Sequence, residues 1–61
     1  MKSSQLLRKL KAAGWFVVRQ NGSHVIMRHP TLPGTLVVPS HGSAEVGKGL
    51  ASKILKDAGL A

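Results

Sequence analysis

The stretch from Arg19 to Arg28, RQNGSHVIMR, places one histidine between two arginines at the start of an apolar segment. His24 can accept and donate a proton near neutral pH. Arg19 and Arg28 can hold a phosphate group and stabilise negative charge that develops on it. RNA carries its own nucleophile, the ribose 2′-hydroxyl, so these residues suit metal-free cleavage of an RNA phosphodiester. They do not demand it, because an exposed histidine beside a turn is usually inert.

Metal-dependent or triad chemistry fits the sequence less well. The chain has no cysteine, and His24 and His29 lie five residues apart on one predicted strand, so their side chains point to opposite faces. The single aspartate, Asp57, falls in the last turn of a predicted helix. We therefore expect no metal site, no cofactor and no Ser–His–Asp triad.

A second phosphate-binding candidate is the segment Gly47-Lys48-Gly49. It is much shorter than a P-loop, but the free backbone N–H groups at a helix start, together with Lys48, could bind a phosphate. Loop flexibility explains the two glycines equally well. Lys48, Lys53 and Lys56 are expected to form a solvated helix face, with nucleic-acid contact as the second possibility.

Charge is the most pronounced feature of the composition. Among 61 residues, nine Lys and Arg residues oppose only Glu45 and Asp57, which gives a formal net charge of +7 and a pI of about 11.2. This balance favours a polyanionic partner, either nucleic acid or an acidic protein. The alternative, a basic surface that only keeps the protein soluble, is less favoured. The longest apolar run has four residues, from Trp15 to Val18, so neither a membrane span nor a signal peptide is expected. The absence of cysteine fits a reducing compartment, and we expect a cytoplasmic protein.

Hydrophobic periodicity predicts one α+β domain, residues 1–61, with the element order α-β-β-β-α. Ser3 or Ser4 is predicted to cap a first helix, and glycines at 14 and 59 are predicted to end the two helices. The predicted elements are a helix at 3–13, strands at 15–20, 24–29 and 35–39, and a helix at 49–60. They give a three-stranded antiparallel sheet with both helices on one face.

Alternation along the strands predicts which face is buried. Because burial of Arg19 or Arg28 would be costly, the core is predicted to take the other side of each strand: Phe16, Val18, Val25, Met27, Leu36 and Val38. His24 then lies on the open face with both arginines. An apolar strip on that face is typical of a binding surface, and it is predicted to contain Val17, Ile26 and Val37. Trp15 is expected at the edge of the core rather than as a platform for base stacking.

Four segments in order, SSQLLRKLKAAGW, VVRQNGSHVIMRHP, PGTLVVPSHGSAEVGKGL and ILKDAGL, resemble the HicA-type toxins, the mRNA interferases of type II toxin–antitoxin systems. The resemblance runs nearly from end to end. It implies a fold similar to the double-stranded-RNA-binding domain and a metal-independent endoribonuclease that cleaves mRNA. The active histidine of the family is that of the Gly-Ser-His motif, which here is His24, presented by the turn at Gly22 and Ser23.

The resemblance also implies a protein partner, a HicB-type antitoxin that binds the toxin and blocks His24. We predict that the strip of Val17, Ile26 and Val37 forms part of that interface. The cellular outcome implied is a stress response with translation arrest and slowed growth. Many relatives have a second histidine where this chain has Val25, and the predicted burial of Val25 predicts no loss of activity.

His24 is predicted to act as the general base on the 2′-hydroxyl or to shuttle its proton, and the acid for the departing 5′-oxygen is unassigned. His41 is a candidate, but the segment after the third strand varies among relatives, so no family role is carried onto His41 or Glu45. Two alternatives stay open at this point. One is a non-catalytic RNA-binding module of the same fold, and the other is a protein whose basic face docks only an acidic partner.

Overall fold

A computed structural model describes residues 1–40, 42 and 44–60 of the chain. Its elements are α1 (Ser3–Ala12), β1 (Phe16–Asn21), β2 (His24–Arg28), β3 (Leu36–Pro39) and α2 (Lys48–Asp57). The strands form one antiparallel sheet in the order β1-β2-β3. The predicted α-β-β-β-α fold is thereby confirmed. Across the described ranges, no helix is both long and apolar enough to cross a membrane.

Both helices end in a glycine motif, as predicted. Gly14 has a φ of 102°, and the N–H groups of Gly14 and Trp15 donate to the carbonyls of Lys11 and Leu10 at 3.1 and 3.0 Å. Gly59, with a φ of 80°, ends α2 through the same pair of hydrogen bonds. These bonds satisfy carbonyls that a helix end leaves free and turn the chain back towards the core.

The amino end of α1 differs from the prediction. Lys2 is the N-cap residue and Ser3 begins the helix with its side chain fully buried, so neither Ser3 nor Ser4 is the cap. The N–H groups of Ser3 and Ser4 instead donate to carbonyls of the loop that follows β3, at 3.0 Å each. The Ser3 hydroxyl donates to the carbonyl of Pro39 at the end of β3. Backbone acceptors from distant residues therefore replace the expected side-chain cap.

The covered face of the sheet packs against both helices. Burial alternates along β2 and β3, and the four core positions predicted on these strands are confirmed. Phe16 and Val18 were also predicted in the core, but each is 47% exposed, so this part of the prediction is wrong. The buried cluster consists of Leu6, Leu10, Trp15, Val25, Met27, Leu36, Val38, Val46, Ala51, Ile54 and Ala58.

A β-bulge in β1 explains the error. Near the turn, Arg19 pairs with Ile26, but beyond the bulge Val17 pairs with Met27, so β1 has one extra residue, Val18, in this interval. An extra residue reverses the alternation for the rest of the strand. Residues paired across an antiparallel sheet project from the same face. Val17 therefore lies on the covered face and not, as predicted, on the open one.

The same bulge places Phe16 on the open face, where it pairs with Arg28. β1 is an edge strand, and all of its residues are exposed. The helices thus cover β2 and β3 but leave β1 uncovered, and even Val17 is 43% exposed.

Trp15 closes the core between β1 and the end of α2. It is 3% exposed, and its indole N–H donates to the carbonyl of Ala58 at 3.4 Å. Its ring meets the ring of His29 edge-on, with centroids 5.3 Å apart and an interplanar angle of 64°. The predicted position of Trp15 at the edge of the core is confirmed.

We predict that Gly14→Ala destabilises the fold more than Gly59→Ala. Both glycines have a positive φ, which costs another residue about 1 to 2 kcal/mol. A Cβ at Gly14 would also lie 2.7 Å from Nε2 of His29, whereas the nearest atom to a Cβ at Gly59 is Cδ1 of Leu32 at 3.8 Å. Urea unfolding should give a loss of about 1 kcal/mol for Gly59→Ala and at least about 2 kcal/mol for Gly14→Ala. Equal losses would contradict the described packing of His29 against Gly14.

Candidate functional site

The open face of the sheet is the side opposite the helices. The register arranges its side chains in three rows, which are Asn21–His24–Pro39, Arg19–Ile26–Val37 and Phe16–Arg28. His24, Arg19 and Arg28 are all exposed, so the predicted gathering of these three residues on one face is confirmed. Sequence reasoning missed Phe16 and Asn21 as members of this face, and no glycine or proline in β1 signals the bulge that brings Phe16 there.

A tight turn presents His24 as the first residue of β2. Asn21 pairs with His24, so Gly22 and Ser23 alone form the turn, and Gly22 has a φ of 61°. Glycine at the first position of a two-residue turn is typical of a β-hairpin. The turn is held from both sides, because the Gln20 side-chain amide donates to the Gly22 carbonyl at 3.0 Å and the Ser40 N–H donates to the Ser23 carbonyl at 2.6 Å.

The ring of His24 is open to an approaching ligand. No group within the described residues is hydrogen-bonded to its imidazole. The space beside the turn is also clear, because a Cβ at Gly22 would meet no atom within 4 Å. His24 is therefore held firmly by its backbone, and neither ring nitrogen is bonded to the part of the chain that the structure describes.

The two arginines lie at different distances from His24. Arg19 pairs with Ile26, so it is the diagonal neighbour of His24, at about 7 to 8 Å between backbone positions. Arg28 lies four residues further along β2, at about 13 Å. A long arginine side chain can cover the shorter separation. Arg19 is therefore better placed than Arg28 to contact the same phosphate as His24.

Among the described residues, no acidic group pairs with the positive charge of the open face. The chain's only acidic side chains are Glu45, which pairs with the Met1 amino group at 2.9 Å, and Asp57, which pairs with Lys53 at 3.0 Å. Neither belongs to the open face. Arg19 and Arg28 thus leave this face with uncompensated charge for an anionic ligand.

The apolar strip predicted on this face is partly corrected. Ile26 and Val37 pair across β2 and β3 and do share the open face. Val17 lies on the covered face because of the bulge, and Phe16 takes a place on the open face instead. Phe16 and Val37 are 47% and 52% exposed, so the open face has apolar side chains beside its arginines.

Lys48 lies apart from His24. It is the first residue of α2, and α2 packs on the covered side of the sheet through Ala51 and Ile54. The structure thus does not place Lys48 on the open face with the arginines. His41, the candidate acid, lies outside the described residues.

His29 has a structural role. The N–H groups of Thr31 and Leu32 donate to its Nδ1 at 3.1 and 3.3 Å, so the ring proton resides on Nε2, which donates to the carbonyl of Ala13 at 2.9 Å. His29 thereby joins the end of α1 to the loop after β2. In the described ranges, no three His, Cys, Asp or Glu residues group as metal ligands.

Fold and site together define a small α+β domain with an unobstructed histidine and two arginines on an uncovered sheet face. The family model for the HicA toxin of bacterial toxin–antitoxin systems matches residues 3–60, so the chain belongs to the HicA toxin family. A chain of the solved HicA3 and HicB3 toxin-antitoxin complex is similar, with a TM-score of 0.76 and 28% identity. That likeness covers 100% of this chain and 97% of the other. A search of curated protein sequences finds no match. The predicted family is confirmed, and the protein is a toxin of the HicA type.

We predict that His24→Ala and His29→Ala differ in their effect on stability. His24→Ala should leave the free energy of unfolding within about 0.5 kcal/mol of the parent, because its exposed ring has no hydrogen bond to the described residues. His29→Ala should lower it by about 2 kcal/mol, because it removes the bonds to Ala13, Thr31 and Leu32 and the contact with Trp15. Urea titration followed by Trp15 fluorescence measures both. A large loss for His24→Ala would mean that His24 is part of the framework rather than a free reactive group.

Proposed function

We propose that this toxin is a metal-independent endoribonuclease that cleaves mRNA in the cytoplasm, with His24 as the catalytic residue. The observation that carries the proposal is the pairing register, which sets exposed His24 diagonally across from Arg19 on an open face without acidic residues. A free imidazole beside a guanidinium is what phosphodiester transfer to a 2′-hydroxyl requires. Membership of the HicA family supports the same function.

The reaction begins at the ribose 2′-hydroxyl next to the scissile phosphate. Neutral His24 accepts the hydroxyl proton while the 2′-oxygen forms a bond to phosphorus. The bond between phosphorus and the 5′-oxygen then breaks, the departing oxygen takes up a proton from solvent water, and the imidazolium of His24 returns its proton to solvent. The products are a 2′,3′-cyclic phosphate and a 5′-hydroxyl. All bonds are made and broken within the RNA, so the protein only has to move protons and stabilise charge.

Arg19 is the residue we assign to the phosphate. Negative charge on the non-bridging oxygens grows as the phosphorane forms, and a guanidinium within reach stabilises it through charge-assisted hydrogen bonds of about 1.5 to 3 kcal/mol. Arg28, further along β2, is proposed to bind a neighbouring phosphate. Lys48 lies on α2 and is not assigned to the reacting phosphate.

A HicB-type antitoxin is proposed to inhibit the toxin by covering the open face. Phe16, Ile26 and Val37 lie there beside Arg19 and Arg28, and exposed aromatic, aliphatic and arginine side chains are typical of protein interfaces. The similar solved structure is itself a toxin-antitoxin complex. An antitoxin seated on this face excludes RNA from His24 without any change in the toxin's shape.

Cleavage of a defined mRNA in excess EDTA tests the proposed function. The parent protein should cut it, and His24→Ala should reduce the rate by about 10² to 10⁴, the usual contribution of general base catalysis. Mapping of the product ends should show the cyclic phosphate and the 5′-hydroxyl. His29→Gln serves as the control for loss of a histidine outside the open face, measured at a temperature where it remains folded.

Binding of the RNA without cleavage by either protein would favour the alternative, a non-catalytic RNA-binding module. Cleavage that is equal in the parent and in His24→Ala would remove His24 from the mechanism. Activity that disappears in EDTA and returns with a divalent cation would contradict the proposal that cleavage needs no metal ion.

The antitoxin interface has its own prediction. Ile26→Asp puts a carboxylate at the centre of the open face and should weaken binding of the cognate HicB-type antitoxin by at least about tenfold, or about 1.4 kcal/mol. Leu50→Asp is the matched control, because Leu50 is 47% exposed on α2, away from this face. Calorimetric titration measures both affinities. Unchanged affinity for Ile26→Asp, or an equal loss for Leu50→Asp, would contradict an interface on the open face.

A further inference from the structure

Most of the positive charge of this protein lies away from the open face. Six of the nine Lys and Arg residues are on the two helices, and only Arg19 and Arg28 are on the open face. All six are exposed. We call them the basic helix surface, which consists of Arg8, Lys9, Lys11, Lys48, Lys53 and Lys56.

Little of this charge is neutralised. Asp57 pairs with Lys53 through an exposed ion pair one helical turn apart, and Glu45 is occupied by the Met1 amino group. The other five cations of the basic helix surface have no acidic partner among the described residues. The field of the domain is therefore stronger on the helix side than on the side of His24.

The helix side is also concave. Three adjoining cavities of about 390, 480 and 430 Å³ lie along the helices and share Met1, Lys9 and Leu55 among their linings. Arg8, Lys9 and Lys48 lie on their walls, together with Glu45, which pairs with the Met1 amino group. A concave surface whose charges are mostly of one sign focuses the field and concentrates counter-ions there.

The residue types favour RNA over a protein as the ligand of this surface. Five of its six cations are lysines, a residue depleted from protein interfaces, and lysine is a common contact of nucleic-acid phosphates. The open face has the opposite character, with arginines beside Phe16, Ile26 and Val37. The two sides of the domain thus suit different ligands.

We propose that the basic helix surface is a second RNA-binding surface, which holds the phosphate backbone of the substrate outside the segment that is cleaved. The proposal rests on the proposed ribonuclease function. The smallest extent of the domain is 16 Å, so an RNA that is long enough passes from the open face around an edge of the sheet to the helices. The basic helix surface then adds affinity for long RNA through the phosphates, without base contacts. The open face carries out the cleavage.

Comparison of two RNA lengths tests this proposal. Binding is measured in the His24→Ala background, with one RNA of about 6 nucleotides, which fits one face, and one of about 40, which can reach both. The test protein also has Arg8→Gln, Lys9→Gln and Lys11→Gln, which keep good helix formers in α1. It should bind the long RNA about tenfold more weakly, with the slope of log affinity against log salt reduced by about 2. Binding of the short RNA should be unchanged.

Two controls accompany the test. Lys9→Arg with Lys11→Arg keeps the charge and should retain the affinity for the long RNA. Arg19→Gln with Arg28→Gln removes the charge of the open face and should weaken binding of both lengths. With His24 restored, cleavage of the short RNA by the triple α1 variant should match the parent.

Each contrary result is distinct. Unchanged affinity of the triple variant for the long RNA overturns the second surface, and a simultaneous loss of antitoxin affinity would assign these lysines to the protein partner. Equal loss for both RNA lengths also overturns it, since the charges would then act only through the overall field. Length-dependent binding without any cleavage by the parent would keep the second surface and reject the ribonuclease.

Discussion

The side chains of β2 must alternate between the helices and the solvent, and the other functional features depend on this constraint. Val25 and Met27 are buried in the core, and burial of each contributes about 1.5 to 3 kcal/mol. A shift of one residue in the register would expose both and push His24 and Arg28 under the helices. The core that stabilises the domain is thus also what holds His24 on the open face, and the Gly22-Ser23 turn sets where along the strand it lies.

Features of the fold and the site that depend on residues close together in the sequence could be predicted, and features that depend on distant residues could not. His24 and Arg19 were placed correctly because both lie next to the turn, from which alternation is counted without interruption. Phe16 and Val17 were placed on the wrong faces because the bulge at Val18 lies between them and the turn, and no sequence signal marks it. The cap of α1 and the hydrogen bond from His29 to Ala13 were missed for a related reason. Both depend on backbone carbonyls distant in the sequence, which local patterns do not reveal.

The two sides of the domain divide the tasks that a small toxin must combine. The open face brings a histidine, arginines and apolar side chains together, so the proposed catalysis and the proposed inhibition by an antitoxin would use the same surface. The helices carry most of the positive charge on their exposed side, and their other side packs against the sheet to form the core. In a chain of 61 residues, the same two helices that bury the core also present the surface that we propose for RNA binding.

In the proposed mechanism, the RNA supplies the nucleophile, and the open face only moves its proton and stabilises charge. The most direct test is an RNA whose single preferred cleavage site, mapped beforehand, has a 2′-deoxyribose in place of the ribose on the 5′ side of the scissile phosphate. We expect the parent protein to bind this RNA as tightly as the all-ribose RNA but to leave that site intact in EDTA. Cleavage at the 2′-deoxy site would show that water or a protein group attacks the phosphate, and it would contradict the mechanism assigned to His24.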